Sequence, residues 1–95
     1  LDAKQMASLV SNGAGGSWQI ANRADTMVDN KFDYGFAVDW MRKDLGIALD
    51  AANEIGVSLP VTALVDQFYS DVQQMGGGRW DTSSLIQRLR KLQNA

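Results

Sequence analysis

Apolar residues recur at intervals of three and four along most of the chain, and glycine clusters interrupt this recurrence. The spacing places apolar side chains on one face of an α-helix. Glycine favours the left-handed backbone conformation that ends a helix. Five helices are therefore predicted, over residues 3–12, 17–28, 36–55 and 60–75 and from Asp81 or Thr82 onward.

The residues that precede these segments suit helix N-termini. Asp2 and Ser17 can each accept a hydrogen bond from a first-turn amide, and Pro60 suits the first turn of a helix. Residues 29–35 are rich in turn formers and predict an irregular connection. No segment of four or more residues shows the strict apolar–polar alternation of a half-buried strand. The predicted fold class is all-α, with about five helices in one domain over residues 1–95.

The composition excludes several classes of function. A formal net charge of −2 over 95 residues gives no reason to expect nucleic acid or an anionic membrane as a partner. The chain has no cysteine and no histidine, so a thiol nucleophile and the commonest general base and metal ligand are missing. No metal site is expected. No apolar run approaches the ~20 residues that span a bilayer, and a cytoplasmic location is expected. The opening Leu1-Asp2 suggests a piece of a longer protein.

The central predicted helix carries large apolar residues on two sides. One stripe suits a core and consists of Ala37, Met41, Leu45, Ala48, Ala52 and Ile55. Roughly opposite lie Phe36, Trp40, Lys43, Ile47 and Asp50. An ordinary surface helix carries small polar or charged residues on its outer side. The second side combines an ammonium and a carboxylate with aromatic rings, and it is therefore the candidate for function.

Three interpretations of this side stay open on spacing alone. Lys43 can pair with Asp39, four residues earlier, for ~0.2–0.5 kcal/mol, which would leave Asp50 solvated. Alternatively, Phe36 and Trp40 anchor a contact with another subunit or domain. In the third interpretation Lys43 binds an anionic substrate or a cofactor phosphate, and the aromatic rings exclude water around it.

Three further features have both a functional and a structural interpretation. The glycine loop at residues 13–16 could bind phosphate, but its spacing is not G-x-G-x-x-G, and a tight connection between helices is favoured. The cations Arg88, Arg90 and Lys91 form either a phosphate patch or a favourable interaction with the helix dipole. The fourth helix has an apolar side at Val61, Leu64, Val65, Phe68, Val72 and Met75. Its other side is predicted to be solvated: Asp66, Gln67, Ser70, Asp71, Gln73 and Gln74.

The sequence KDLGIALD at residues 43–50 resembles the K-D-L-G-x-A-x-D signature of the β-hydroxyacid dehydrogenases at all eight positions. This family includes 3-hydroxyisobutyrate dehydrogenase and tartronate semialdehyde reductase. The sequence NGAGGSW at residues 12–18 resembles the family's loop after the catalytic helix. Gly35-Phe36 and the pattern over residues 76–89 also fall where the family has them. The resemblance extends over essentially the whole chain.

The resemblance implies a specific place for this chain in a larger protein. Family members have an N-terminal Rossmann domain that binds NAD or NADP, a long interdomain helix, and a helical C-terminal domain of the 6-phosphogluconate dehydrogenase type. This chain resembles only the last part. The family's catalytic lysine motif is absent, because Lys4 lacks the preceding glycines and has Ser8 where the motif has asparagine. No catalytic residue is therefore expected here, and the chain alone is expected to be inactive.

The resemblance also implies roles for individual residues. Lys43 would be a cofactor contact on the nicotinamide side. Phe36 and Trp18 would lie near the substrate pocket, and Asp50 would close or orient its far side. The whole enzyme would transfer hydride between NAD(P) and a small hydroxy or semialdehyde acid, as a homo-oligomer. The alternative is a non-catalytic helical oligomerisation or interaction domain of a related protein.

Overall fold

The computed structural model describes residues 1–93. It contains α1 (Ala3–Ser11), α2 (Trp18–Val28), α3 (Val38–Glu54), α4 (Pro60–Gln74), a 3-10 turn (Thr82–Ser84) and α5 (Leu85–Gln93). Within these residues, pairing of the β type is limited to one isolated antiparallel bridge between Ala37 and Asp81. The predicted all-α class with five helices is confirmed. None of the described helices has the length and apolar character needed to cross a membrane.

Local sequence signals set most helix ends where they are predicted. The side chains of Asp2 and Ser17 each accept a hydrogen bond, at 3.1 Å, from the backbone amide three residues later. These bonds satisfy amides that have no partner inside the helix. Gly56 follows α3 with a φ of 74°, a conformation that glycine adopts without steric cost, and Pro60 stands in the first turn of α4.

The start of α3 differs from the prediction. The helix begins at Val38, so Phe36 lies in the irregular segment before it and not on the helix. The residue that precedes Val38 forms no side-chain cap. Instead, the amide of Val38 donates to the carbonyl of Trp80, and the amide of Asp39 donates to the carbonyl of Gly78, both at 2.8 Å. A distant loop thus caps α3, which no local sequence pattern announces.

The chain divides into two compact units, of which the first covers Leu1–Phe32. Here α1 packs against α2, and Lys4 Nζ lies 2.9 Å from the carboxylate of Asp29. A Cβ atom at Gly16 would overlap the backbone carbonyl of Ser11. The predicted tight connection between the two helices is therefore confirmed. Neither helix contains a buried residue.

The second unit begins at Asp33 and contains a hydrophobic core. Val38 of α3 and both Tyr69 and Val72 of α4 are buried at its centre. Partly buried side chains pack around them: Met41, Leu45, Val65, Met75, Trp80 and Leu85. Burial of these apolar groups from three helices and the loop before the 3-10 turn is the main stabilising contribution in this unit.

The predicted apolar stripes are correct only in part. Ile55 is 76% exposed because it follows the last residue of α3 and so lies outside the helical repeat. Ala48 is also exposed. In α4, Val61 and Leu64 are exposed, whereas Tyr69, which belongs to neither predicted side, is buried. In each helix the core contact covers a shorter stretch than the apolar pattern.

The prediction that the polar side of α4 is solvated is correct only in part: Gln67 and Gln74 are exposed, but other residues of this side have partners on neighbouring helices. Arg42 of α3 donates from Nε and Nη2 to the two carboxylate oxygens of Asp66, at 2.9 and 3.2 Å, and from Nη1 to Gln73 at 3.0 Å. Arg88 of α5 donates to Asp71 at 2.8 Å. Both α3 and α5 contact α4, and three of its polar residues, Asp66, Asp71 and Gln73, have partners on these two helices.

The glycine run at residues 76–78 ends α4 and also leaves space for neighbouring side chains. Gly76 has a φ of 87°, which stops the helix. A Cβ atom at Gly77 would overlap the ring of Trp80, and one at Gly78 would overlap the carboxylate of Asp39. The missing side chains therefore make room for two groups that pack against the loop.

Candidate functional site

One exposed line along α3 runs through Trp40, Lys43, Ile47 and Asp50, and we call these four residues the Trp40 face. They stand at successive intervals of three, four and three residues, which places them along one side of the helix. Trp40 and Ile47 are 58% and 59% exposed, values that are high for large apolar side chains. Four of the five residues predicted for the second side of the helix therefore lie on one exposed line, and the fifth, Phe36, precedes the helix.

Lys43 interacts with an aromatic ring and not with a carboxylate. Its Nζ lies 5.5 Å from the ring centroid of Trp40, within the range of a cation–π contact. Within residues 1–93 Lys43 forms no ion pair. The carboxylate of Asp39 instead accepts a hydrogen bond from Nε2 of Gln73 at 2.8 Å. The interpretation of Lys43 as one half of a surface pair with Asp39 is therefore wrong in this structure.

The remaining predicted site residues lie at different places. Asp50 is exposed on the Trp40 face, seven residues after Lys43. At ~1.5 Å of rise per residue the two charges are separated by about two helical turns. Phe36 is half-exposed in the segment before α3. Trp18 is the first residue of α2, in the first unit, and the guanidinium of Arg23 lies 4.8 Å from its ring centroid.

The structure thus brings Trp40 and Lys43 into contact and places Asp50 on the same helix side. Phe36 precedes this helix, and Trp18 belongs to the first unit. The roles that the resemblance implies for Lys43, Phe36, Trp18 and Asp50 stay predictions.

Sequence reasoning missed the polar network beside this face. Arg42 bridges α3 to α4 through Asp66 and Gln73, and the hydrogen bond to Asp66 raises the pKa of the Arg42 guanidinium. The Asp66 side chain is only 13% exposed, so the pair is shielded from water on one side. The partners are 24 and 31 residues apart, and no local spacing could have indicated them.

A second polar cluster follows the glycine run. Asp81 is buried and accepts hydrogen bonds from the hydroxyl of Ser83 at 2.9 and 3.0 Å. The hydroxyl of Tyr69 donates to the carbonyl of Thr82 at 3.0 Å, and burial, more than the nearby charge of Asp81, raises the pKa of Tyr69. These bonds tie the 3-10 turn to α4 and are structural in character.

Two of the three cations near the end of α5, Arg88 and Arg90, have partners in the described residues. Arg88 pairs with Asp71, and its guanidinium lies 4.1 Å from the ring centroid of Phe68. Arg90 Nη1 donates to Gln87 at 3.4 Å. Across residues 1–93 no three acidic side chains are grouped as they would be around a metal ion.

A surface cavity of about 430 Å³ lies where α3 and α4 are joined. It is lined by Leu49, Ala52, Asn53, Gly56, Val57, Ser58, Leu59, Pro60 and Ala63. None of the predicted site residues borders it. The cavity and the Trp40 face are therefore separate features of the second unit.

Comparison with known proteins now adds to this geometry. A family model described as NAD-binding of NADP-dependent 3-hydroxyisobutyrate dehydrogenase matches residues 1–89. An uncharacterised oxidoreductase of Shewanella frigidimarina is 60% identical over 91 residues, which cover 96% of this chain and 31% of that protein. A probable 3-hydroxyisobutyrate dehydrogenase-like protein of Arabidopsis thaliana is 37% identical over 94 residues, 99% of this chain and 28% of that protein.

A third relative is the 2-(hydroxymethyl)glutarate dehydrogenase of Eubacterium barkeri, 34% identical over 87 residues, 90% of this chain and 29% of that enzyme. The chain spans about 30% of the length of these three relatives. The family model, by contrast, reaches from the first residue almost to the last helix end. The chain belongs to the 3-hydroxyisobutyrate dehydrogenase family.

Proposed function

We propose that this chain is the helical C-terminal domain of an NAD(P)-dependent 3-hydroxyacid oxidoreductase of the 3-hydroxyisobutyrate dehydrogenase or tartronate semialdehyde reductase type. In this proposal it supplies one wall of the active-site cleft, and the Rossmann domain and the catalytic lysine belong to other parts of the protein. Membership of the family and the small share of its relatives' length support the proposal. Small hydroxy or semialdehyde acids are the proposed substrates.

The proposal rests mainly on the surroundings of the Lys43 ammonium. An exposed ammonium that contacts a ring and has no carboxylate partner among the described residues retains its capacity to bind an anion. Gly46, three residues later, has no atom within 4 Å of the position that a Cβ would occupy, so the approach to Lys43 from that side is open. This arrangement suits one ionic contact with a phosphate or carboxylate group.

The residues of the Trp40 face have distinct parts in the proposed enzyme. Lys43 holds an anionic group of the cofactor or substrate, and the Trp40 ring limits access of water to that contact. A bound nicotinamide supplies or accepts the hydride. Asp50 orients the far side of the substrate site, and Phe36 and Trp18 contribute apolar wall. Proton transfer at the substrate oxygen is assigned to a lysine outside these 95 residues.

The test compares Lys43→Ala with the unchanged full-length protein, using fluorescence titration with NADH and NADPH and steady-state kinetics. Loss of one charge-assisted contact on an exposed face should weaken cofactor binding about tenfold, near the lower end of the usual range. Lys31→Ala is the matched control, because Lys31 is also exposed but lies outside α3. Equal affinities for the Lys43 variant, the Lys31 variant and the unchanged protein would contradict the proposal.

A second candidate function, helical oligomerisation, is favoured by the first unit. Its helices expose five large apolar side chains: Met6, Leu9, Val10, Trp18 and Val28. We infer that such a surface is covered in the working protein, by another subunit or another domain. Analytical ultracentrifugation of the chain, with Leu9→Asp for comparison, tests this candidate. A concentration-independent monomer for both forms would contradict it.

A further inference from the structure

Two neighbouring cations of α3 have opposite surroundings. The guanidinium of Arg42 faces α4, where both oxygens of the Asp66 carboxylate accept its hydrogen bonds. The ammonium of Lys43 faces outward and contacts only the ring of Trp40 among the interactions of the described residues. One positive charge is therefore neutralised within the fold, and the next is not.

A carboxylate that could neutralise Lys43 is nevertheless within reach. Side chains three or four residues apart on a helix are neighbours, and for Lys43 these positions hold Asp39, Trp40, Gly46 and Ile47. Only Asp39 is acidic. It stands four residues N-terminal to Lys43, which is the favoured orientation for an acid–base pair on a helix. Without a competing partner, Asp39 would be expected to bind Lys43.

Gln73 is that competing partner. Its Nε2 donates to Asp39 Oδ1 at 2.8 Å, and its Oε1 accepts a hydrogen bond from Arg42 Nη1 at 3.0 Å. With its oxygen occupied by a guanidinium, the amide can present only its nitrogen to Asp39. The Asp39 carboxylate also fills the space left by the missing side chain of Gly78. Asp39 is thus held toward α4 and the glycine run.

We propose that Gln73 is a positioning residue that holds the Asp39 carboxylate away from Lys43 and so keeps the Lys43 ammonium available to an anionic group of the nicotinamide cofactor. This inference rests on the proposed function and extends it to a residue on another helix. Arg42 and Gly78 support Gln73 in this role, one by fixing its amide and the other by leaving space for the carboxylate.

The first test measures cofactor binding by the full-length Gln73→Leu protein, with NADH and NADPH as probes. Asp39 can then pair with Lys43, and the dissociation constants should rise about twofold, the size expected from one acid–base pair on an exposed helix. The KM for cofactor should rise in proportion while kcat stays unchanged, since no group that contacts the reacting atoms is altered. Thermal unfolding of each variant confirms that the fold is intact.

The rescue variant separates this role from a structural one. In Asp39→Asn/Gln73→Leu the competing carboxylate is gone, and both dissociation constants should return to those of the unchanged protein. Asp39→Asn alone should bind cofactor at least as tightly as the unchanged protein. If the Gln73–Asp39 hydrogen bond only stabilised the fold, the double variant, which also lacks that bond, would bind cofactor as weakly as Gln73→Leu.

Gly78→Ala is a second way to displace the Asp39 carboxylate, because the added Cβ would overlap that carboxylate while Gln73 stays unchanged. A similar loss of affinity, reversed by Asp39→Asn, is expected. Unchanged affinity in Gln73→Leu and Gly78→Ala, together with weaker binding in Lys43→Ala, would overturn this inference and leave the proposed function standing. Unchanged binding in Lys43→Ala would overturn the proposed function itself.

Discussion

The two units of the chain are stabilised by different kinds of contact. In the first, Leu1–Phe32, the helices contain no buried residue, and their contacts include side-chain caps, a tight glycine connection and an ion pair between exposed groups. In the second, three helices enclose Val38, Tyr69 and Val72, and polar residues connect neighbouring helices. The helices of the first unit are held by contacts between partly or fully exposed residues, and those of the second pack around a buried core.

This difference has a consequence for stability. Exposed ion pairs contribute ~0–1 kcal/mol, whereas full burial of one large aliphatic side chain contributes ~1.5–3 kcal/mol. The two helices of the first unit, which contain no buried residue, should therefore unfold locally more easily than those of the second. The second has a core whose disruption affects all the elements around it.

The largest expected effect is that of Val72→Ala. Removing two buried carbon atoms from a fully enclosed position should lower the free energy of unfolding of the second unit by about 2–3 kcal/mol. The matched control is Val10→Ala on α1, an exposed site, where the change should stay within about 0.5 kcal/mol. Urea denaturation followed by circular dichroism measures both. Equal losses would contradict the contrast between the units.

A medium effect is expected at Tyr69. Burial raises its folded-state pKa above the ordinary value of 10.0, so the neutral hydroxyl is the form that the fold favours. Its contribution to stability is complete below pH 10 and is lost as the pH rises toward the higher folded-state pKa. Tyr69→Phe should cost about 1 kcal/mol at pH 7, through the unsatisfied carbonyl of Thr82.

The pH dependence of the urea midpoint tests the raised pKa of Tyr69. Between pH 9 and pH 11 the urea midpoint of the unchanged chain should fall more steeply than that of Tyr69→Phe. Parallel profiles would show that Tyr69 titrates no differently in the folded and unfolded states.

The smallest effect is expected at the cap of α2. Ser17→Ala removes the acceptor for the amide of Ile20 and should destabilise the helix by about 0.5–1 kcal/mol. Hydrogen exchange should accelerate at the α2 amides and stay unchanged in α3 and α4. Ser8→Ala, at an exposed position within α1, is the control. Faster exchange throughout the second unit would show that the two units unfold together.

The difference between local and long-range contacts also explains what the sequence could predict. Asp2, Ser17, Gly56 and Pro60 act within a few residues of their own positions, so local patterns indicated all four correctly. The start of α3 was placed too early, because its first amides bond to carbonyls of a loop about 40 residues later. A single sequence contains no signal for such a cap.

The candidate site was predicted unevenly for the same reason. The apolar and charged pattern of α3 located Trp40 and Lys43 on an exposed side. The same pattern suggested Asp39 as the partner of Lys43, because that pair is favoured on an isolated helix. Only the packing of α4 against α3 shows that Gln73 holds Asp39 instead. Tertiary contacts, not helical spacing, decide which charge is left without a partner.

The room that Gly77 leaves for the Trp80 ring also gives the molecule a built-in optical probe. The chain has three tryptophans: Trp80 packs against the core, Trp40 stands beside Lys43, and Trp18 belongs to the first unit. A partly enclosed indole emits at shorter wavelength than a water-exposed one. Variants that retain one tryptophan each would therefore report, through emission colour alone, on the core, the Trp40 face and the first unit as separate signals.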